Sequence, residues 1–111
     1  FHSLTEEYFW RWVVYGQLTR VLPAGWAHIL AGLSFSAHHF VIATQYFPNS
    51  YGLMFGLLVG VGGVLWSLLY AKHKTLYGVW ISHMIVDLSI MVIGYDLICS
   101  RAILALPTLV A

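Results

Sequence analysis

The sequence is poor in charged residues for its length. Of its 111 residues only 8% are Asp, Glu, Lys or Arg, whereas soluble domains carry about 25%. From Val21 to Ala71 there is no charged residue at all, and 60% of the chain is hydrophobic. A soluble protein with so long an uncharged stretch would not stay dispersed, but in a bilayer each central charge costs about 2.5–3.5 kcal/mol. The composition therefore indicates an integral membrane protein.

The sequence also lacks the cysteines and the basic excess that several other functions need. Cys99 is the only cysteine, which excludes an internal disulfide and a thiolate metal site. The net charge of +1 gives no electrostatic footprint for nucleic acid, so no nucleic-acid partner is expected. The first apolar run is interrupted by Glu6, Glu7 and Arg11, which is unlike a signal peptide. Because the sequence starts without Met and directly in a polar motif, we expect residues 1–111 to form one domain cut from a longer chain.

Long apolar runs with short breaks predict an all-α, polytopic transmembrane bundle. A spanning helix needs about 20 apolar residues, and four runs approach that length, at 4–22, 24–47, 51–71 and 75–98. The spacing of Ser3 and Glu6 is that of a capping box, which allows the first helix to start at Ser3. Residues 99–111 form a weakly specified tail. We expect about four spanning helices, the core of a larger membrane domain.

Glycines in the third run predict close packing. Gly52, Gly56 and Gly60 lie four residues apart, which places them on one face of a helix. Such a small-residue face lets two helix backbones approach each other in a membrane. We therefore expect the third helix to support the bundle and to carry no chemistry.

Basic residues near the ends of the runs predict the orientation. Arg20, Lys72 and Lys74 fall on one side of the predicted bundle and Arg101 on the other. Cytoplasmic loops carry the excess of Lys and Arg. This bias places the Arg20 and Lys72 loops in the cytoplasm.

The few ionisable residues inside the runs indicate a functional site, because such residues are costly in a membrane. Glu7 and Arg11 lie four residues apart and can pair on one helix face, while Glu6 points about 100° away from Glu7. One carboxylate can thus be neutralised while the other faces a cavity. A bundle can then bring Glu6 together with His39 and His83 of two other helices.

A carboxylate and histidines gathered in this way are suited to activating water. The carboxylate can act as a general base, and a histidine beside it can hold the same water or carry its proton. A second polar pair, such as His83 and Asp87, can stabilise the oxyanion that forms when water attacks an amide carbonyl. These parts together support peptide hydrolysis within the membrane.

Three motifs in order resemble the CAAX protease and bacteriocin-processing family, also called the Abi family or type II CAAX prenyl endopeptidases. They are Glu6-Glu7-Tyr8-Phe9-Trp10-Arg11 (EExxxR), Phe35-Ser36-Ala37-His38-His39 (FxxxH) and His83-Met84-Ile85-Val86-Asp87 (HxxxN/D). The resemblance covers about residues 5–98. It implies an intramembrane glutamic endopeptidase that acts without a metal or another cofactor.

The resemblance also implies a role for each motif residue. Glu6 is expected to be the catalytic base, with Glu7 and Arg11 supporting it. Phe35 fixes the register, so His39 and not His38 is expected to help activate the water. His83 and Asp87 are expected to form the oxyanion-stabilising pair.

Asp87 is a departure from the family pattern, because Asn is common at that position. An ionised Asp cannot donate a hydrogen bond to an oxyanion. Asp87 must therefore either be protonated or orient His83.

Several alternatives stay open. A zinc metalloprotease is one, since a Glu and two His can bind the metal, but there is no HExxH sequence. A rhomboid-type serine protease is supported only by the loose match of Gly32-Leu33-Ser34-Phe35. An aspartyl protease needs two facing Asp residues, but Asp87 and Asp96 are nine residues apart and point in opposite directions on one helix. A catalytically inactive scaffold or a proton-relay subunit is the non-enzymatic alternative.

The expected partners are membrane lipids and a peptide or lipidated-protein substrate. The expected location is the bacterial plasma membrane, crossed several times. The resemblance does not select one substrate, because the family includes both enzymes that trim prenylated proteins and proteins of bacteriocin processing and immunity.

Overall fold

A computed structural model of the protein describes residues 1–46 and 49–110, and this part of the chain is helical almost throughout. The helices, in chain order, are α1 (His2–Glu7), a π-helical segment (Tyr8–Tyr15), α2 (Gly16–Val21), α3 (Ala24–Tyr46), α4 (Asn49–His73) and α5 (Leu76–Val110). The first three are continuous and are called the N-terminal helix below. The all-α class expected from the apolar runs is confirmed.

The N-terminal helix contains a π-helical segment that no residue pattern predicted. Its turns between Tyr8 and Tyr15 are wider than those of an α-helix, and such turns are frequent at functional sites. The capping box expected at Ser3 is wrong. The helix begins at His2 after Phe1, and Ser3 is buried without a capping hydrogen bond, because the Glu6 side chain faces histidines of other helices.

The breaks between helices follow from local backbone chemistry. Leu22 is extended (φ −129°, ψ 151°), as expected for a residue that precedes proline, and α3 starts directly after Pro23. Lys74 takes a left-handed conformation (φ 54°), which ends α4. The Thr75 hydroxyl then accepts a hydrogen bond from the Tyr77 backbone N–H at 3.3 Å and caps α5.

The closest packing in the described chain joins α3 to α4, and the glycines of α4 make it possible. A Cβ atom added at Gly60 would lie 3.1 Å from Ser36 Cβ, and one added at Gly63 would lie 3.2 Å from Gly32 Cα. Ser36 also donates a hydrogen bond to the Gly56 carbonyl at 2.6 Å. The close approach predicted from the glycine spacing is confirmed, and it packs α3 directly against α4.

Two segments of the described chain are long and apolar enough to cross a membrane, Ser50–His73 and Leu76–Asp96. They correspond to the third and fourth expected spans. The first two expected spans are helices, but charges in the N-terminal helix and three histidines in α3 lower their hydropathy. Helix α4, which was expected at 51–71, runs from Asn49 to His73. Residue 47, the expected end of the second span, lies outside the described residues.

The last helix differs from the sequence prediction. Helix α5 continues to Val110, whereas the pattern placed its end at residue 98 and a weakly specified tail after it. Residues 101–106 are mostly Ala, Leu and Ile, of which Ala and Leu are among the best helix formers, and Pro107 does not end the helix. The backbone of 99–110 is therefore helical, and Ala111 lies outside the described residues.

Candidate functional site

The Glu7 carboxylate and the Arg11 guanidinium form a fully buried ion pair inside the N-terminal helix. Arg11 Nε lies 2.9 Å from Glu7 Oε2, and both side chains are 0% exposed. The guanidinium carbon is 4.9 Å from the centre of the Phe35 ring and 5.6 Å from that of Trp66. Arg11 is thus held by a carboxylate and by two aromatic faces, which offset part of the cost of removing it from water. Its Nη1 and Nη2 atoms have no hydrogen-bond partner among the described residues.

Glu7 also reaches the last helix. His83 Nδ1 lies 2.6 Å from Glu7 Oε1, so the ring donates from Nδ1 to the carboxylate. This contact leaves His83 Nε2 as the nitrogen that faces the rest of the site. The supporting role expected for Glu7 and Arg11 stays a prediction, and the structure adds a direct contact of Glu7 with His83.

The Glu6 carboxylate lies between α3 and α5. Its Oε1 is 3.8 Å from His39 Nε2, and its Oε2 is 3.6 Å from His83 Nε2. Its side chain is 10% exposed. Three residues separated widely in the sequence are therefore brought together around one carboxylate.

His39 is oriented by its own helix. Its Nδ1 lies 3.0 Å from the Phe35 carbonyl oxygen, which can only accept a hydrogen bond, so the ring proton is on Nδ1. Nε2 is then the ring nitrogen directed towards Glu6. The Phe35 ring is buried and packs against the rings of both histidines, with centroids 4.3 Å from His39 and 5.8 Å from His83.

Asp87 lies one helical turn after His83 and is partly exposed. Its Oδ1 is 3.3 Å from His83 Nε2, and 37% of its side chain is accessible. The ring nitrogens of His83 are thus surrounded by the carboxylates of Glu6, Glu7 and Asp87. We call Glu6, Glu7, His39, His83 and Asp87 the histidine–carboxylate cluster.

Three further residues adjoin this cluster and were missed by sequence reasoning. His38 Nε2 is 3.9 Å and His2 Nε2 is 3.4 Å from Glu6 Oε1. Both adjacent histidines of α3 therefore lie within 4 Å of the Glu6 carboxylate, although only His39 was expected to act there. The Trp66 ring stacks on His83 with centroids 4.2 Å apart, and only the tertiary fold reveals this contact.

Two cavities meet at the cluster. One has about 370 Å³ and an almost entirely apolar wall that ends at His39, His83 and Asp87. The other has about 410 Å³ and is lined by residues around Glu6, namely His2, Thr5, Glu6, Phe9, Trp10 and His38. We call the first of them the apolar cavity. The cluster is thus bordered by the apolar cavity on one side and by the cavity around Glu6 on the other.

One group of side chains in the site has the donor types of a zinc site. A ligand atom from each of Glu6, His38 and His39 lies within 4.8 Å of the other two. Tetrahedral zinc sites combine such oxygen and nitrogen donors at about 2.0–2.2 Å from the metal. The residue types fit a zinc ion, and the donor atoms would have to move slightly closer to one another.

The residues of the serine and aspartyl protease alternatives are not gathered into a site in the described part of the chain. Ser34 lies exposed on α3, and Asp96 is exposed on α5, whereas Asp87 contacts His83. His28 lies outside the cluster and is buried between Tyr15 and Ser67, at hydrogen-bond distances of 3.3 and 2.9 Å.

A family model described as type II CAAX prenyl endopeptidase Rce1-like matches residues 1–89. No curated protein and no solved structure matches the chain. The match includes all three motifs and every residue of the histidine–carboxylate cluster, and it covers most of the sequence. The chain belongs to the Rce1-like family of type II CAAX prenyl endopeptidases.

Proposed function

We propose that the protein is an intramembrane endopeptidase in which Glu6 and His39 activate the attacking water. The observation that carries this proposal is the position of the Glu6 carboxylate, nearly buried and flanked by His39 of α3 and His83 of α5. Membership of a family of membrane endopeptidases gives the reaction class.

The distances around Glu6 suit a water molecule between two acceptors. An ionised Glu6 and the Nε2 lone pair of His39 both accept hydrogen bonds, so at 3.8 Å they cannot satisfy each other. A water that donates to both would satisfy them, and its oxygen would keep a lone pair for attack. As that oxygen bonds to the amide carbon, the carbonyl π electrons move to the oxygen and Glu6 takes the proton. Collapse of the intermediate breaks the C–N bond, and Glu6 returns the proton to the leaving nitrogen.

His83 supplies the opposite charge for the oxyanion in this proposal. As an imidazolium it donates from Nδ1 to Glu7 and from Nε2 to the oxyanion. Before the oxyanion forms, the Nε2–H points to Asp87 Oδ1, 3.3 Å away. Asp87 thereby keeps the ring oriented, which gives an ionised Asp a role that needs no donated hydrogen bond. The Glu7–Arg11 pair fixes the other edge of the ring.

The apolar cavity suggests the substrate class. Its walls are formed by aliphatic and aromatic side chains, with the cluster at one end. A lipid chain or an apolar peptide segment would bury there with the scissile bond next to Glu6. We therefore propose a lipidated CAAX-type protein or a bacteriocin-like peptide as substrate. We further propose that α3 and the N-terminal helix also span the membrane, in a multi-pass protein of the bacterial plasma membrane.

Zinc-dependent hydrolysis is a second candidate, favoured by the donor atoms of Glu6, His38 and His39. In that case Glu6 would be a metal ligand, and the ion would supply the Lewis acid that activates water. Removal of His38 separates the two mechanisms, because it removes a metal ligand but leaves the proposed water site of Glu6 and His39. Under the glutamic mechanism His38→Gln keeps activity within about threefold, whereas loss of a zinc ligand costs far more.

Cleavage by the Glu6→Gln variant tests the proposal. The protein is reconstituted in lipid vesicles with a farnesylated CAAX-type peptide whose cleavage releases a fluorophore. Loss of the general base is expected to reduce kcat/KM by about 10²–10⁴-fold. The matched control is Asp96→Asn, which removes an exposed carboxylate of α5 and is expected to leave cleavage unchanged. A scaffold or proton-relay protein would show no cleavage that depends on Glu6.

A further inference from the structure

A third cavity lies at the other end of the N-terminal helix, away from the histidine–carboxylate cluster. It has about 280 Å³ and is lined by Trp12, Val13, Gly16, Gln17 and Arg20 of the N-terminal helix and by Tyr70 of α4. The helical spacing of these residues places them along one side of the helix. None of these residues belongs to the family motifs or takes part in the proposed mechanism.

The polar groups of this cavity suit an anion. Arg20 supplies a permanent positive charge, and Gln17 and Tyr70 supply hydrogen-bond donors. None of the chain's four acidic residues lines it. Glu7 is the nearest of them along the N-terminal helix, about 20 Å before Arg20 at 1.5 Å per residue.

Basic residues near the cavity also favour an anionic ligand. Tyr70 lies in the last turn of the apolar segment Ser50–His73, so the cavity is at the level where a membrane segment meets water. Lys72 and Lys74 follow within four residues and are exposed at the same end. Three of the five Lys and Arg residues of the chain thus gather where lipid headgroups lie.

The cavity also changes character along the helix axis. Arg20 and Gln17 form its charged end, whereas Trp12 and Val13 form an apolar end about 12 Å further along the helix. Trp12 is 55% exposed, so its ring is accessible to an acyl chain. A charged end beside an apolar end matches a phospholipid, whose phosphate adjoins its acyl chains, better than it matches a free phosphate.

We propose that this cavity binds an anionic phospholipid, with the phosphate at Arg20, Gln17 and Tyr70 and the first part of an acyl chain against Trp12 and Val13. Gly16 forms the floor between the two ends. A Cβ added there would meet only the Arg11 backbone oxygen, at 3.8 Å. The site is independent of the proposed catalytic role, since it shares no residue with the cluster.

Lipid binding to the detergent-solubilised protein tests the proposal. Phosphatidylglycerol is titrated at about 0.5 M salt, where the Debye length is near 4 Å and diffuse attraction to the basic end is screened. Arg20→Gln is expected to weaken binding by about fivefold. The matched control, Lys72→Gln, removes a cation from the same end outside the cavity and is expected to change binding by less than about twofold.

Filling the cavity without altering charge gives a second test. Gly16→Leu places a side chain in the cavity and is expected to abolish binding of phosphatidylglycerol. Gly25→Leu is the control, because Gly25 is exposed and has nothing within 4 Å of an added Cβ. Circular dichroism checks that both variants stay helical, and the Arg20→Gln result stands if Gly16→Leu does not fold.

A lipid without net charge and a soluble phosphate compound test whether the ligand is an anionic lipid. Phosphatidylcholine is expected to bind more weakly than phosphatidylglycerol, and glycerol 3-phosphate is expected not to compete, because it lacks acyl chains. Equal losses in Arg20→Gln and Lys72→Gln would overturn the proposal, as would undiminished binding to a folded Gly16→Leu. Full competition by glycerol 3-phosphate would mean a soluble phosphate ligand and would equally overturn it.

Discussion

His83 Nδ1 lies 2.6 Å from Glu7 Oε1, a contact that joins the last helix to the first across 76 positions of sequence. The same carboxylate binds Arg11 through its other oxygen at 2.9 Å. Glu7 therefore has a double role: it balances a buried guanidinium and fixes which nitrogen of His83 faces Glu6.

Glu7→Gln is expected to destabilise the fold by about 3–5 kcal/mol, because it leaves the Arg11 charge buried without a partner. The double variant with Arg11→Met removes that charge and is expected to recover most of the lost stability. Unfolding in mixed micelles with increasing denaturing detergent measures both. The coupling of the pair would be contradicted if Glu7→Gln and Arg11→Met each lost less than about 1 kcal/mol of stability and the double variant recovered none of it.

The residues that sequence reasoning placed well are those whose relationship is local. Glu7 and Arg11 pair because they are four apart on one helix, and the glycine spacing of α4 predicts its contact with α3. The approach of Glu6, His39 and His83 was expected from the cost of such residues in a membrane and from the family resemblance. Spacing alone does not determine it, because each residue comes from a different helix.

Other features depend on tertiary contacts that no local pattern carries. His28 lies near the start of α3, and its partners Tyr15 and Ser67 come from two other helices, so its burial could not be predicted from spacing. The contact of Glu7 with His83 was missed for the same reason, since the two residues are 76 positions apart. The π-helical segment and the extension of α5 to Val110 likewise have no sequence signal that we recognised.

The buried hydrogen-bond chain around His28 leads to a prediction about stability. Ser67 Oγ donates to the Val64 carbonyl at 2.8 Å, so it accepts from His28 Nδ1 at 2.9 Å. His28 Nε2 then accepts from the Tyr15 hydroxyl at 3.3 Å. Three helices are thus linked by a chain of hydrogen bonds with a fixed direction.

Tyr15→Phe is expected to cost about 1–3 kcal/mol, because it leaves His28 Nε2 buried without a partner. Tyr8→Phe is the matched control in the same π-helical segment, where the ring is 49% exposed, and is expected to change stability by less than about 0.5 kcal/mol. Detergent unfolding of the two variants measures the difference. Equal stability of Tyr15→Phe and the unaltered protein would show that the hydroxyl contributes nothing to the fold.

The α3–α4 contact predicts a strong effect of side-chain size at Gly60. Gly60→Leu is expected to destabilise the protein by about 1–3 kcal/mol or more, since Ser36 Cβ lies 3.1 Å from the position of an added Cβ. The control Gly94→Leu places the same side chain on α5, where nothing lies within 4 Å. Thermal unfolding followed by circular dichroism should separate the two variants. A Gly60→Leu protein as stable as Gly94→Leu would mean that the helices can move apart without cost.

A double-mutant cycle on Glu6→Gln and His39→Asn measures whether these two residues act on one water. Cleavage of the reporter peptide is compared among the unaltered protein, the two single variants and the double variant. If both residues serve the same water, either single change already removes most of the activation, and the double variant is expected to lose no more than about threefold beyond the worse single variant. Losses in kcat/KM that simply multiply would contradict a shared water, and full activity of Glu6→Gln would contradict the role of Glu6 as the base.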